Sequence, residues 1–359
     1  MKKTLFLPAA FAVLSMLSVA CKDSSDRKDG FPTPVSLHAD SVWVEQILKP
    51  SEWAVSNGKA VVRSQSTDSV FYVYSLPDFR FLYTWGRRGQ GPGEFSLVSI
   101  VNAWDGDTGE LWLQDFRSRQ FLGMNVGTVS LYRQDTCLYP DMKDFSESRP
   151  LSGGFIGTKK VSSDNRTEYF YVQSAKGGAV LDSVVLGTCA EVRRNDSGGI
   201  VYSSRPNSPN VIVRGDRVAL AYNMLRHIDL YRISPQGKLL PVASVGEQMD
   251  RETLERIAAS RRSSSGIQKG FFGFAASDKY IYTLFIEFEV LDLQARTIDV
   301  RKKTLYVYRW DGTPAYVYEL DVPVTDILVS ADDKYLYGKF DLQDFDRVYK
   351  WRLPHAGER

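Results

Sequence analysis

Two stretches near the end of the chain decide the fold: "SDKYIYTLF" (277–285) and "ADDKYLYGKF" (331–340). Each begins with a polar turn containing Asp and Lys, and each then alternates Tyr with aliphatic residues. Alternation at every second residue places one set of side chains on each face of a β-strand. The two stretches are therefore interpreted as copies of one β unit, and they predict an internal repeat.

Four weaker copies of this unit precede the two clear ones. They are "SNGKAVVRS" from Ser56, "GDTGELWLQDF" from Gly106, "SGGFIGTKK" from Ser152 and "GDRVALAYN" from Gly215. The copies recur about every 55 residues on average, a spacing that suits a propeller blade with long loops. A second alternating segment follows each copy, in several cases through a hairpin turn such as Asp311-Gly312. The pattern predicts an all-β, six-bladed β-propeller.

The two ends of the chain complement each other. The last copy runs into "RVYKWRLPHAGER" (347–359) and lacks a clear outermost strand, whereas "PTPVSLHADSVWVEQIL" (32–48) alternates but belongs to no copy. We expect this N-terminal strand to close the last blade, because closure would remove exposed sheet edges. Two smaller β domains are the alternative, but no linker-like segment divides the chain.

One segment interrupts the β pattern, "EQMDRETLERIAASRRSSSG" (247–266). Asp250 is suited to cap a helix, and Leu254, Ile257 and Ala258 would share one helical face. The segment predicts a short helical insert between the fourth and fifth blades. The insert either caps the channel and docks a partner, or packs on the rim of the propeller.

The first residues are typical of an export signal. "MKK" is followed by the apolar run "TLFLPAAFAVLSMLSVA" and then by Cys21. This order indicates a secretory signal peptide, and "LSVAC" resembles the lipobox of bacterial lipoproteins, in which the cysteine is lipidated. We expect residues 1–20 to be the signal peptide, 21–34 a lipidated cysteine with a flexible tether, and 35–359 the propeller. A soluble secreted protein with an incidental cysteine is the alternative.

The charge balance argues against nucleic acid as a partner. Lys and Arg number 45 against 43 Asp and Glu, a net charge of +2. Cleavage of the signal peptide removes Lys2 and Lys3 and leaves a net charge of zero. A broad positive field that could gather phosphates is therefore not expected.

The glycine-rich stretch "LYTWGRRGQGPGEFSL" (82–97) raises the question of a phosphate loop. Gly86 and Gly91 have the Walker spacing, but Pro92 occupies the position of the required lysine. A helix pattern, which such loops need, does not follow. Glycines permit positive φ and Pro92 fixes its own φ, so we interpret the stretch as a compact turn between two blades.

This stretch also carries a family resemblance. "GRRGQGPGEF" followed by "GELWLQDFRSRQFLGMNVGT" resembles the NHL-type repeat of six-bladed propellers. "YSLPDFRFLYTWGRRGQGPGEFS" is similar to the TolB-like propeller lipoproteins of Bacteroidetes. The resemblance implies a six-bladed fold and an envelope location, and it implies no settled activity. The second blade departs from the NHL pattern, since Ser118 replaces Asn and Arg119 lies one position early.

Residues able to carry chemistry are few and scattered. The histidines are His38, His227 and His355, and their spacing fits no usual zinc site. His227 alone could join a Ser-His-Asp triad, but a nucleophile-elbow motif is absent. Cys137 and Cys189 either form a disulfide or are separate thiols. The sequence thus predicts no catalytic set, no metal and no cofactor.

The ligand-binding residues that the sequence suggests are Asp115, Arg117, Arg119 and His227. In a strand, Asp115, Arg117 and Arg119 would share one face, which could point into the channel and bind an anionic or sugar ligand. The alternative is an exposed turn with a salt bridge.

The functional expectation rests on the fold, because propellers often bind other molecules at the channel mouth. We expect an outer-membrane lipoprotein of the cell envelope that acts as a non-catalytic binding or scaffold protein for a protein or glycan. The alternative is a lyase or hydrolase acting on polysaccharide or peptide, with residues contributed by several blades.

Overall fold

The structure is a computed structural model, and it describes residues 30–44, 50–65, 67–101, 103–104, 110–117, 120–128, 130–138, 145–151, 154–160, 167–174, 179–188, 192–194, 200–203, 209–260, 266–292, 297–340 and 344–354. These residues form β-strands almost throughout, with one α-helix among them. Cys21, Arg119 and Cys189 lie outside the described residues, so the expectations for them are not addressed by the structure.

The strands are, in chain order, β1 (Val35–Leu37), β2 (Asp40–Trp43), β3 (Pro50–Ser56), β4 (Lys59–Ser64), β5 (Ser69–Ser75), β6 (Arg80–Arg88), β7 (Glu94–Phe95), β8 (Val98–Val101), β9 (Ala103–Trp104), β10 (Glu110–Asp115), β11 (Gln120–Asn125), β12 (Ser130–Leu138), β13 (Phe145–Leu151), β14 (Gly154–Lys160), β15 (Thr167–Ser174), β16 (Val180–Thr188), β17 (Val192–Arg194), β18 (Ile200–Ser203), β19 (Pro209–Arg214), β20 (Arg217–Tyr222), β21 (His227–Ile233), β22 (Leu239–Gly246), β23 (Gly266–Ala276), β24 (Tyr280–Asp292), β25 (Thr297–Arg309), β26 (Pro314–Leu320), β27 (Asp326–Val329), β28 (Tyr335–Phe340) and β29 (Asp344–Arg352). The helix α1 spans Arg251–Ser260 between β22 and β23.

Five of the sheets in the described ranges are complete antiparallel blades whose four strands come in chain order: β3 to β6, β8 with β10 to β12, β13 to β16, β19 to β22, and β23 to β26. The arrangement is that of a β-propeller, as the repeat predicts. Five complete blades are thus found where the repeat predicts six, because the remaining large sheet has only three successive strands, β27 to β29. A separate two-stranded sheet, β17 with β18, lies between the third and fourth blades in the chain.

The sheet of β27 to β29 takes its fourth strand from the start of the chain. β2 pairs antiparallel with β29, with Asp40 opposite Lys350 and Trp43 opposite Arg347. This confirms the expected pairing of an N-terminal strand with the last sheet. The neighbouring β1 pairs in parallel with β26 of the preceding blade, so the N-terminal segment spans two sheets.

The first strands of the sheets are in mutual contact and form a closed series. β3 contacts β8, β13 contacts β19, β19 contacts β23, β23 contacts β27, and β27 returns to β3. The series is continued between β8 and β13 by contacts of their sheets through β12 and β14. The buried side chains form clusters between neighbouring sheets, so hydrophobic burial holds each sheet against the next.

The N-terminal segment enters the fold earlier than the sequence suggests. Phe31, which was expected in the flexible tether, is buried. Its ring centroid lies 5.1 Å from that of Tyr306 and 5.0 Å from that of Tyr308. Asp321 then fixes the turn between β1 and β2, because its carboxylate accepts a hydrogen bond from the Ala39 backbone N–H at 3.1 Å. The same carboxylate accepts from the Trp351 indole N–H at 3.0 Å.

The repeat seen in the sequence has a physical counterpart in its turns. Ser277 accepts hydrogen bonds through Oγ from the backbone N–H groups two and three residues later, at 3.1 and 3.0 Å. Ser330 does the same for the backbone N–H groups of Lys334 and Tyr335, at 3.1 and 2.9 Å. In both turns a serine hydroxyl, rather than a backbone carbonyl, thus accepts N–H groups at the start of an alternating strand.

The glycine-rich stretch is the turn from β6 to the next blade, as interpreted from the sequence. The chain loops back so that β7 runs parallel to the end of β6, and Gly89 N–H donates to the Phe95 carbonyl at 3.1 Å. The Glu94 carboxylate accepts the N–H of Gly91 at 2.9 Å. Gly86 and Gly93 have φ of 75° and 76°, values that favour glycine.

This loop places the side chain of Phe95 in the hydrophobic core. Its ring meets Phe71 edge-on at 5.8 Å and lies 5.7 Å from Trp85, which stacks on Phe71 at 5.4 Å. Aromatic contacts in these geometries add stability beyond area burial. The three rings form the contact between the first and second blades, and Gly86 lies directly against them.

The helix begins as predicted, with the Asp250 carboxylate accepting the Thr253 backbone N–H at 2.8 Å. Leu254 is buried, and Ile257 packs on the cluster between the third and fourth blades. This packing agrees with the expectation of an insert held on the rim.

Gly86→Ala should destabilise the protein more than Gly58→Ala. Both glycines have positive φ, but a Cβ at Gly86 would lie 3.1 Å from Phe71 and 3.2 Å from Phe95, whereas a Cβ at Gly58 meets open space. Positive φ alone costs alanine about 1 kcal/mol, and overpacking adds about 1–3 kcal/mol. Denaturant unfolding of the two variants measures the difference, and equal losses would contradict the role given to the aromatic contact.

Candidate functional site

A cavity of about 450 Å³ lies among the first strands of the sheets. Residues of β3, β8, β13, β19, β23 and β27 all line it, so it occupies the axis around which the sheets are arranged. A cavity of this size is within the range of small-molecule sites. Its walls combine apolar side chains with a few charged ones, which makes it the leading candidate for a ligand site.

Two carboxylates on neighbouring first strands face this cavity. Glu52 on β3 receives a bidentate salt bridge from Arg63 on β4, with the Nη2 to Oε1 distance at 2.8 Å. Asp326 on β27 is directly opposite Lys339 on β28, and its Oδ2 lies 3.2 Å from Nζ. In both hairpins an acid on the first strand is paired with a cation on the second.

The acids, rather than the cations, face the solvent in the cavity. The side chains of Glu52 and Asp326 are 38% and 33% exposed, whereas those of Arg63 and Lys339 are 12% and 4% exposed. Each cation thus lies in the wall behind its carboxylate. The paired carboxylates are held in position as hydrogen-bond acceptors, because charge-assisted bonds fix their orientation.

Trp53 lies beside the Asp326–Lys339 ion pair. Its ring lies 5.6 Å from Lys339 Nζ, a cation–π distance. The side chain is 2% exposed, and its indole N–H has no hydrogen-bond partner within the described ranges. An unsatisfied buried N–H is costly, so this group is a weak point of the wall around the cavity.

Arginines line the opposite part of the cavity. Arg149 lies on β13, and Arg214 lies on β19, where its Nε is 3.4 Å from Oδ1 of the exposed Asp278. Between the acidic and basic parts the wall is apolar, with Ile100 on one side and Phe272 and Phe274 on the other. The cavity therefore has acceptors on one wall, guanidinium donors on another and apolar surfaces between them.

His227, one of the predicted ligand-binding residues, lies at the start of β21 and is buried. Its Nδ1 is 2.7 Å from the Glu247 carbonyl, and its Nε2 is 3.0 Å from Asp229 Oδ1. Ser244 Oγ lies 3.1 Å from the same Nε2, but its hydroxyl donates to Asp229 at 2.7 Å. This is not the order of a catalytic triad, in which the histidine separates the serine from the aspartate.

Asp229 is the centre of this cluster. It also accepts the Tyr222 hydroxyl at 3.0 Å. Burial raises the pKa of Asp229, but hydrogen bonds from His227, Ser244 and Tyr222 outweigh burial and hold the pKa below the ordinary value of 3.8. The cluster ties β20, β21, β22 and the segment leading to α1 together. A second cavity, of about 410 Å³, borders the cluster and is lined in part by Glu247 and Met249.

The other predicted site residues lie elsewhere. Asp115 ends β10, and Arg117 lies in the turn that follows, so the two do not share one strand face. The Asp115 carboxylate accepts the Arg117 backbone N–H at 2.9 Å, and Arg117 Nη1 donates to the Gln90 carbonyl at 2.8 Å. Neither lines the central cavity. Asp115 and Arg117 therefore fit the alternative interpretation, an exposed turn. A ligand-binding role for them stays a prediction.

In the part of the chain that the structure describes, no three or more His, Cys, Asp or Glu side chains are grouped so that they could hold a metal ion. No helix there is long and apolar enough to cross a membrane.

Comparison with known proteins identifies the class of fold. No family model and no curated protein matches the sequence. Among solved structures, a putative exported protein of Bacteroides fragilis NCTC 9343 is similar, with a TM-score of 0.52 and 13% identity over 88% of this chain and 94% of that one. U3-55K is more distant, with a TM-score of 0.43 and 10% identity over 88% and 98% of the two chains. At such identities the likeness shows the fold alone, and the chain is a β-propeller.

Asp229→Asn should lower the free energy of unfolding by about 2–3 kcal/mol at pH 7, because buried polar partners lose a charged acceptor. A depressed carboxyl pKa stabilises the folded state above the ordinary pKa, and this contribution is lost as the pH falls through the folded-state pKa. The difference in free energy of unfolding between the wild type and the variant should therefore shrink below about pH 3.8. Chemical denaturation at a series of pH values measures this difference. Asp299→Asn, at an exposed position of β25, is the control and should cost less than about 0.5 kcal/mol.

Proposed function

We propose that this protein is a non-catalytic binding propeller of the cell envelope that recognises a protein or glycan ligand in its central cavity. The observation that supports the proposal most is the cavity wall itself. All the first strands contribute to it, and Glu52 and Asp326 are held there by cations that lie behind them. Positions fixed in this way suit selective binding, because little order must be gained when the ligand arrives.

The proposal includes a sixth blade. The sheet of β27 to β29 with β2 has four strands, and β27 contacts the first strands on both sides of it. We propose that this composite sheet is the closing blade of a six-bladed ring, of the kind found in the TolB-like and NHL-like families that the glycine-rich turn resembles.

The proposed location rests on the sequence. A signal peptide followed by Cys21 favours a lipid anchor in the outer membrane, with the propeller facing the periplasm or the cell surface. Nine residues separate Cys21 from the described Phe31, so the anchor would hold the propeller close to the membrane. A Cys21→Ala variant should leave the membrane fraction after cell lysis. Retention in that fraction would contradict lipid anchoring.

A second candidate function is that of a lyase or hydrolase acting on polysaccharide or peptide. Two carboxylates on adjacent first strands, Glu52 and Asp326, are the observation that favours it, since glycosidases use a pair of carboxyl groups. Each of these acids already engages a cation, and the first proposal requires no proton transfer from either. Turnover of an envelope glycan or peptide by the purified protein, lost in Asp326→Asn, would favour the enzyme.

Filling the cavity should abolish ligand capture. Ala276 lines the cavity and is half-buried, so Ala276→Leu adds volume without changing charge. Ala179→Leu adds the same volume at an exposed position outside the cavity and is the matched control. The protein would be used as bait on detergent-solubilised envelope after mild crosslinking, and bound protein and glycan would be identified by mass. We expect capture by the wild type and by Ala179→Leu only.

Equal capture by Ala276→Leu and by the wild type would show that the ligand binds outside the cavity. In that case the partner surface would have to be sought elsewhere, with the rim around α1 as the next candidate. Thermal unfolding of both variants establishes that the comparison is made between folded proteins.

A further inference from the structure

We infer that the propeller lies against the membrane through one part of its outer edge, where exposed apolar side chains of β16 and β22 contact the lipid surface. The inference rests on the lipid anchor proposed above and deepens it, because it states how the anchored propeller is oriented. It follows from where the exposed apolar residues are clustered and from where the N-terminal segment leaves the fold.

The exposed apolar residues are unevenly distributed over the described ranges. Half of the large ones lie on β16 and β22, the fourth strands of the third and fourth blades. We call this group the outer patch, and it consists of Val180, Leu181, Val185, Leu240 and Val242. Their exposed fractions lie between 38% and 59%. Single exposed apolar side chains are ordinary, but a cluster on adjoining elements is typical of an interaction surface.

The two strands of the outer patch are bonded to each other across the boundary between their blades. Lys238 Nζ donates to the Leu181 carbonyl at 3.0 Å, and the Asp182 carboxylate accepts the Leu239 backbone N–H at 2.9 Å. Leu240 follows directly in the chain. These bonds join the apolar residues of β16 and β22 into one continuous surface.

The N-terminal segment leaves the fold beside the same strand β22. Gly30 is exposed and lies against Pro314, which follows the turn between β25 and β26. Gly312 in that turn lies against Ala243 of β22. Val242, a member of the outer patch, directly precedes Ala243. The outer patch therefore adjoins the point at which the chain turns towards Cys21.

The chain between the lipidated cysteine and the fold is short. Nine residues separate Cys21 from Phe31. Whatever its conformation, a chain of that length reaches at most about 30 Å. The anchor therefore keeps the surface around Phe31 near the membrane, and the adjoining outer patch is brought there with it.

Basic side chains border the outer patch. Arg232 is exposed and lies opposite Leu240 in the pairing of β21 with β22. The Lys238 side chain is 59% exposed, although it also lies near Asp182. Apolar side chains flanked by Lys and Arg suit shallow insertion among lipid headgroups, because the cations can reach the phosphates while the apolar groups enter the acyl boundary.

This basic border favours lipid over a second copy of the chain. In a symmetric dimer the same patch of each copy would meet the other, so Arg232 and Lys238 would be brought near their own equivalents. Like charges repel, whereas lipid phosphates attract both side chains. Lipid is therefore the occupant that complements both the apolar and the charged groups.

The first test maps the contact on the lipidated wild-type protein. It would be added to preformed vesicles of phosphatidylethanolamine and phosphatidylglycerol, and hydroxyl-radical labelling would be read by mass spectrometry. The Cys21→Ala protein without vesicles is the reference. Labelling of the outer patch should fall severalfold in the vesicles, whereas labelling of Leu97, which is 57% exposed in the glycine-rich turn, should stay the same. Equal protection of both, or of neither, would overturn the inference.

The second test removes the apolar contact. Binding of the Cys21→Ala protein to the same vesicles would be measured by sedimentation. Adding Val185→Ser and Leu240→Ser should weaken this binding at least about fivefold, because both side chains lose apolar surface that lipid would cover. Adding Leu97→Ser instead is the matched control and should change nothing. Thermal unfolding shows that the variants are folded. Equal binding by all of them, or by none, would contradict an apolar contact with lipid.

The outcomes separate this inference from the proposed function. If the wild type does not stay with the vesicles, the proposed anchor is wrong and the orientation inferred from it is wrong as well. If it stays but the outer patch is labelled as in the Cys21→Ala reference, only the inference is wrong. Dimerisation of the Cys21→Ala protein that is lost in Val185→Ser/Leu240→Ser would assign the patch to a second copy and overturn the inference. Ligand capture in the central cavity is tested independently by Ala276→Leu.

Discussion

The arrangement of sheets depends on a contact between the two ends of the chain, and one carboxylate holds it. Asp321 accepts hydrogen bonds from the backbone of Ala39, between the first two strands, and from the indole of Trp351 in the last strand. The pKa of Asp321 is held below its usual value, because these bonds outweigh the effect of burial. With β2 paired to β29, the last sheet gains its fourth strand, and the first strands of all the sheets can surround one cavity.

Much of the fold follows from the sequence because its determinants are local. The alternation of Tyr with aliphatic residues after Ser277 and after Ser330 specifies strands, and the two hydroxyls form equivalent turns. The need to cover sheet edges correctly indicates the pairing of the N-terminal strand. The number of complete blades was harder to predict, since the last sheet includes a strand that lies some 300 residues away in the chain. The beginning of the fold at Phe31 was also missed, because a single aromatic residue in a polar segment gives no periodic signal.

Most of the candidate site could not be predicted from the sequence, for a different reason. Its residues come from separate strands, so no spacing joins Glu52, Arg149 and Asp326 into a motif. One signal could have been used: "SEWAVS" and "TDILVS" each place an acid just before a buried run, and a basic residue follows on the next strand of each hairpin. His227 was selected because histidines are rare in the chain, but its nitrogens already face Glu247 and Asp229. Rarity of a residue type indicated a tightly bonded position here, not an open one.

The borrowed strand also has a consequence for the order of folding. β2 precedes the five continuous blades in the chain, whereas its partner β29 follows them. The five continuous blades can form from neighbouring strands, but the sheet of β27 to β29 cannot gain its fourth strand until β29 has been synthesised. Contacts between residues so far apart in the chain form slowly, and β2 must stay unpaired during that time.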